Sequence, residues 1–127
     1  MFNLLVSSVG WTGNQSRFDG LRVLRRGEYT DPAIVAKYEP ERKAGFPSLK
    51  NFPCLFMKES GFDEGEAGLA RVGTINQIQP LGDYLLLDYT FDHAIPPFTN
   101  GQIKEFASQI GILDDFEFYR THWAVKD

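Results

Sequence analysis

Residues 69–91 constrain the fold more than any other part of this chain. Residues 69–79 read as an extended strand, Pro80-Leu81-Gly82-Asp83 as a turn, and residues 84–91 (YLLLDYTF) as the returning strand. Glycine and aspartate between two β-prone runs accept the backbone angles of a tight turn, so the stretch is a β-hairpin. Its first strand alternates imperfectly. Under a strict two-residue period, Val72, Thr74, Asn76 and Ile78 share one side, and Gly73, Ile75, Gln77 and Gln79 share the other. Ile75 and Ile78 then point opposite ways, and the buried face stays open.

The other elements follow from local chemistry. Residues 2–9 are an apolar and small run ending at Gly10, which suits a buried first strand. A polar loop over residues 10–16 leads to residues 21–26 (LRVLRR), a second extended stretch with Leu21, Val23 and Arg25 on one face and a turn at Arg26-Gly27. Asp31-Pro32 opens a helix over residues 32–38, because aspartate caps free amides and proline is tolerated at the first helical position. Pro40 ends it. Residues 52–57 (FPCLFM) form a continuous apolar run, a buried strand with proline near its start. Residues 58–68 are an acidic, glycine-rich surface loop. Thr99 or Asn100 caps a helix over residues 102–110, with Ile103, Phe106 and Ile110 on its apolar face and Gly111 as its stop. The last segment fits two states: Phe116, Tyr119 and Trp123 have helical spacing, while Phe116 and Phe118 suit a strand. Alternating βαβ units are missing, which argues against a nucleotide-binding parallel sheet. The order predicts an α+β fold: a curved antiparallel sheet or small β-barrel with two helices.

At 127 residues the chain fits one domain, spanning 1–127. Eleven Phe, five Tyr and two Trp supply enough buried area for a core that needs neither disulfide nor metal. Cys54 is the only cysteine, which excludes an internal disulfide and a cysteine-rich zinc site and fits a reduced, cytoplasmic setting. No stretch nears the roughly 20 apolar residues that span a bilayer. The start, MFNLLVSSVGW, lacks a secretory signal's basic opening and cleavage site, so a soluble protein without a membrane partner is expected. The net charge of −4 divides unevenly, with +3 over residues 1–50 and −7 over residues 51–127. Only the first part can offer a positive patch.

Few residues are placed for catalysis. His93 and His122 lack the spacing of a zinc helix and have no paired cysteines, so neither a metal site nor a cofactor is expected. Cys54 could be a nucleophile activated by a histidine, but its apolar run calls for a small buried hydrophobe. Asp31 with Glu41 and Lys43 loosely matches the carboxylate-and-lysine set of metal-dependent nucleases, although Asp31 is already suited to capping a helix. Asp63, Glu64 and Glu66 lack the ligand pattern of a calcium loop, and the loop from Gly10 to Gly13 lacks the lysine and spacing of a phosphate loop. No catalytic residue is assigned. Arg17, Arg22, Arg25 and Arg26 form the one notable basic cluster, although Arg25 and Arg26 point to opposite faces if residues 17–26 are an edge strand. With Trp11 exposed at its loop tip, they could hold a phosphate backbone and stack a base. Alternatively Trp11 folds back as a lid on the core, and the arginines are solvated partners of Asp19, Glu28 and the acidic second half of the chain.

The final stretch, Phe116-Glu117-Phe118-Tyr119-Arg120-Thr121-His122-Trp123-Ala124-Val125-Lys126-Asp127, is one of three that belong together. With Phe52-Pro53-Cys54-Leu55-Phe56-Met57 and Ala70-Arg71-Val72-Gly73-Thr74-Ile75, it resembles an uncharacterised bacterial domain. That domain forms the first module of longer proteins, some of them linked to antiviral defence. The resemblance covers nearly the whole chain and implies an N-terminal module without assigned catalytic residues. Arg120, His122, Trp123 and Lys126 would then face a following domain, with Trp123 as anchor and Arg120 as partner for a carboxylate. Otherwise Trp123 closes the core and Arg120 pairs with a nearby acid. The function expected from the sequence is a non-catalytic recognition module that binds nucleic acid or a partner domain through Trp11, the arginine cluster and the Arg120 to Lys126 segment. A small metal-dependent hydrolase and an oligomerisation domain are the alternatives.

Overall fold

Phe2–Ser7 forms strand β1 in the computed structural model, which describes residues 1–25, 28–60 and 68–127. Every β1 residue after Phe2 is buried, as its run without polar alternation requires. The other strands are β2 (Gln15–Asp19), β3 (Cys54–Lys58), β4 (Arg71–Leu81), β5 (Tyr84–Phe91) and β6 (His122–Lys126). They make one open sheet in the order β2-β5-β4-β3-β1-β6. With helices α1 (Pro32–Tyr38) and α2 (Asn100–Glu105), this is an α+β fold. The sheet does not close into a barrel. It is also mixed, because β1 runs parallel to β3 while its other neighbour, β6, is antiparallel.

Alternation along the strands divides the core between two faces. Leu5, Phe56, Ile75, Leu87, Tyr89, Trp123 and Val125 face one way, covered by Trp11, Phe18, Val23 and Leu24, by α1, and by Phe46 and Leu49. Leu4, Val6, Leu55, Met57 and Ala124 face the other way, beneath Ile103 of α2, Ile112 and Phe118. The middle strands are thus covered on both sides. β5 shows one buried face in alternation, through Leu85, Leu87 and Tyr89.

The hairpin is present, but Pro80 and Leu81, read as turn, extend its first strand; it closes at Leu81↔Tyr84 over a two-residue turn in which Gly82 takes φ 62°. Its register shifts between Ile75 and Gln77. This bulge at Asn76 removes the conflict in the alternation, since Ile75 and Ile78 now both pack on the same core.

Helix α1 has the expected bounds, with the Asp31 carboxylate accepting from the Ala33 amide at 2.8 Å. Helix α2 starts under a Thr99/Gln102 capping box and ends at Glu105; a tighter turn, Ala107–Ile110, continues to Gly111 at φ 82°. The tail combines a 3-10 turn, Asp115–Phe118, with strand β6. The extended reading of residues 21–26 is corrected: the strand is Gln15–Asp19, and Gly20–Arg22 forms a 3-10 turn. The Asp19 side chain accepts from the Leu21 amide, and Leu24 takes φ 50°, so the chain cannot stay extended there. Asp63, Glu64 and Glu66 lie outside the described residues. Among the described residues, no helix is long and apolar enough to cross a membrane.

Candidate anion-binding cleft

The parallel strands β1 and β3 end side by side, with Ser7 opposite Lys58. Ser8 and Glu59 follow immediately. Because β6 is antiparallel to β1, the residues that enter it, Tyr119, Arg120 and Thr121, arrive at the same end of the sheet. The segment after β2 is drawn to this end as well. Leu24 donates its amide to the Trp123 carbonyl at 2.9 Å, and Val23 makes a parallel bridge to Trp123. Arg22, Arg25 and Glu28 complete the wall of a cleft of about 450 Å³. It lies beyond the carboxyl ends of the one parallel strand pair among the described residues.

The floor is a short relay. The Ser8 amide donates to Thr121 Oγ1 at 3.2 Å, and that hydroxyl donates to Glu59 Oε1 at 2.8 Å. Above it, the Arg120 guanidinium stands 3.6 Å from Glu28 Oε1 and lies over the Phe116 ring at 5.1 Å. The Glu28 side chain is only 17% exposed, and its Oε2 has no hydrogen-bond partner among the described residues. Arg22 is half-buried and Arg25 exposed. Neither has an ion-pair partner among the described residues. The described lining therefore combines three guanidiniums with two carboxylates.

A buried charged cluster holds this wall from behind. Lys126 Nζ donates to the Tyr29 carbonyl at 2.5 Å and lies 2.8 Å from Glu117 Oε1. The same carboxylate oxygen is 3.4 Å from His122 Nε2, while His122 Nδ1 lies 2.8 Å from the Arg120 carbonyl. The Tyr29 ring packs on the His122 ring at 4.6 Å, and the Val125 amide donates to Thr30 Oγ1 at 3.1 Å. Residues 28–30 are thereby fastened to β6. Tyr29 takes φ 63°, a conformation that costs a non-glycine residue about 1–3 kcal/mol and persists only when its surroundings hold it. Burial raises the Tyr29 phenol above its ordinary 10.0; Arg120 opposes the rise, and the carboxylates of Asp114, Glu28 and Glu117 add to it.

Compared with protein-family models, with curated proteins and with solved structures, the chain matches none. The cleft is accordingly defined by its own residues.

Of the residues singled out in the sequence, the fold unites Arg22, Arg25 and Arg120. Arg17 is exposed on edge strand β2 and does not line the cleft. Arg26 lies outside the described residues. The exposed reading of Trp11 is corrected: the indole is buried among Phe18, Phe56 and Tyr89, and its Nε1 donates to the Met57 carbonyl at 2.9 Å. Trp123 is likewise core rather than an interface anchor, donating from Nε1 to Asn3 Oδ1 at 2.9 Å. His122 and Lys126 are buried in the cluster with Glu117, so they can position the wall but cannot meet a ligand at the surface.

The carboxylates proposed for a nuclease are occupied elsewhere, Asp31 at the α1 cap and Glu41 accepting from the Ser48 amide at 2.8 Å. Among the described residues, no group of three or more His, Cys, Asp or Glu is placed to hold a metal ion. Burial pushes the Cys54 thiol up to about 11, which opposes a thiolate nucleophile. Ser8, Glu59, Tyr119 and Thr121 carried no signal as site residues, because only the adjacency of three strand ends brings them together.

Proposed function

We propose that this chain is a non-catalytic recognition module that binds a partner macromolecule through an anionic group seated between Arg22, Arg25 and Arg120. The observation that carries this reading is convergence. Guanidiniums from two distant segments meet in one polar cleft, and two of them have no carboxylate partner among the described residues. Arginine forks suit oxyanions because their donors match two oxygens at once. The bacterial domain that the sequence resembles supports a module working inside a longer protein. A following domain of that protein, a separate protein or nucleic acid could each supply the anion.

The test is fluorescence polarisation of labelled RNA, duplex DNA and an acidic peptide against the chain over a salt series. At least one should bind saturably, weaken with salt, and lose binding in Arg22→Glu/Arg25→Glu. Absence of binding by all three at low salt, or equal binding by the variant, would remove the cleft as the recognition site.

A further inference from the structure

The surroundings of the arginine cleft narrow what carries the anion. We infer that the ligand is a phosphorylated side chain of a partner protein, with its phosphate between Arg22, Arg25 and Arg120 and its neighbouring residues on Leu113, Phe116 and Tyr119. This deepens the recognition reading above and rests on it.

Glu28 faces Arg120, and Glu59 is turned to the Thr121 hydroxyl at the floor. Among the described residues, Arg22 and Arg25 have no ion-pair partner. A phosphomonoester brings a charge of about −1.5 to −2 and three acceptor oxygens, whereas a carboxylate brings one charge and two oxygens. The monoester is the better match to these two forks with a third beside them.

Exposed apolar side chains shortly precede Arg120 in the chain. Leu113 is 83% exposed, Phe116 58% and Tyr119 48%, all within eight residues of Arg120. Phe116 lies beneath the Arg120 guanidinium, and Tyr119 lines the cleft itself. Exposed aromatic rings beside arginine are the composition of a protein-binding surface.

The charge around the cleft favours a single phosphate over a polyanion. A nucleic-acid backbone needs a row of cations, and each contact adds to its affinity. This chain carries −4 overall and −7 over residues 51–127, with Asp114 and Asp115 exposed in the same segment. A row of phosphates would meet that field, while one phosphorylated side chain needs only the cleft.

The experiment compares four labelled probes on the intact chain: a short peptide with phosphoserine flanked by leucines, the same peptide with serine, the same with glutamate, and a short single-stranded DNA. The phosphopeptide should bind at least about tenfold tighter than both unphosphorylated peptides, the effect expected from one added charge-assisted contact. Arg22→Ala/Arg25→Ala should remove that preference, and Phe116→Ala should weaken binding of the phosphopeptide. Amide resonances of Ser8, Tyr119, Arg120 and Thr121 should shift on titration with inorganic phosphate. Equal binding of the phosphoserine and glutamate peptides overturns the phosphate assignment but leaves recognition of an anion intact. Binding of DNA alone, lost in the double variant, overturns the protein partner and likewise spares the general reading. Binding of no probe, with no resonance shifts, overturns both.

Discussion

Glu117→Ala tests how the cleft wall is held. Glu117 is buried, and its Oε1 lies 2.8 Å from Lys126 Nζ, which is itself buried and otherwise donates to the Tyr29 carbonyl. Removing the carboxylate strands an ammonium out of water with one neutral acceptor. Breaking a buried pair from one side costs about 3–5 kcal/mol. For a domain of this size, that lowers Tm by roughly 10–20 °C. Urea unfolding followed by tryptophan fluorescence suits the measurement, since Trp11 and Trp123 are both buried and shift on exposure. Glu117→Leu/Lys126→Met removes both charges and should recover most of the loss, because the desolvation cost disappears with the pair. A loss under about 1 kcal/mol in Glu117→Ala, below the range for a buried pair, would refute the reasoning. So would a double variant as unstable as the single one. In the recovered double variant the Tyr29 carbonyl still lacks its donor, so binding at the cleft should stay weaker than in the parent protein.

Two further perturbations have defined outcomes. A Cβ at Gly73 would collide with the Thr90 carbonyl oxygen across the hairpin; Gly73→Ala should therefore cost about 1–3 kcal/mol, read as a lower Tm, and an unchanged Tm would contradict the packing. The Cys54 thiol, raised from 9.0 to about 11, should resist a thiol-reactive dye at pH 8 until the chain is unfolded. Its contribution to stability is complete below pH 9.0 and is lost as pH rises through about 11, because the unfolded chain releases that proton first. Rapid labelling of the native protein would contradict this.

What could be read in the sequence was local chemistry. Asp31-Pro32 fixed α1, Thr99 and Gly111 bracketed α2 and its continuation, and the turn at Gly82 fixed the hairpin. What could not be read depended on distant contacts. The parallel β1–β3 pair joins segments about fifty residues apart, and no periodicity encodes it. The bulge at Asn76 needs the partner strand to be visible. The arginine cluster was legible as composition, but its members part company in space: Arg17 stays on the edge strand while Arg22 and Arg25 meet Arg120. Trp11 stayed open between surface and core because an indole in a polar loop carries no mark of which way it turns; it found the Met57 carbonyl.

The pairing of β1 with β6 has a consequence for how this domain comes into being. Phe2 lies opposite Lys126, and Asn3 accepts from the Trp123 indole across 120 residues of sequence. Of the six strands, the first synthesised is therefore completed by the last. Until residues 122–126 emerge, β1 has a bare edge, and the cleft has neither Arg120 nor the lysine that fastens its wall. A topology so dominated by distant pairings folds in milliseconds to seconds rather than microseconds. The proposed cleft is thus complete only once these two distant segments have both been synthesised and paired.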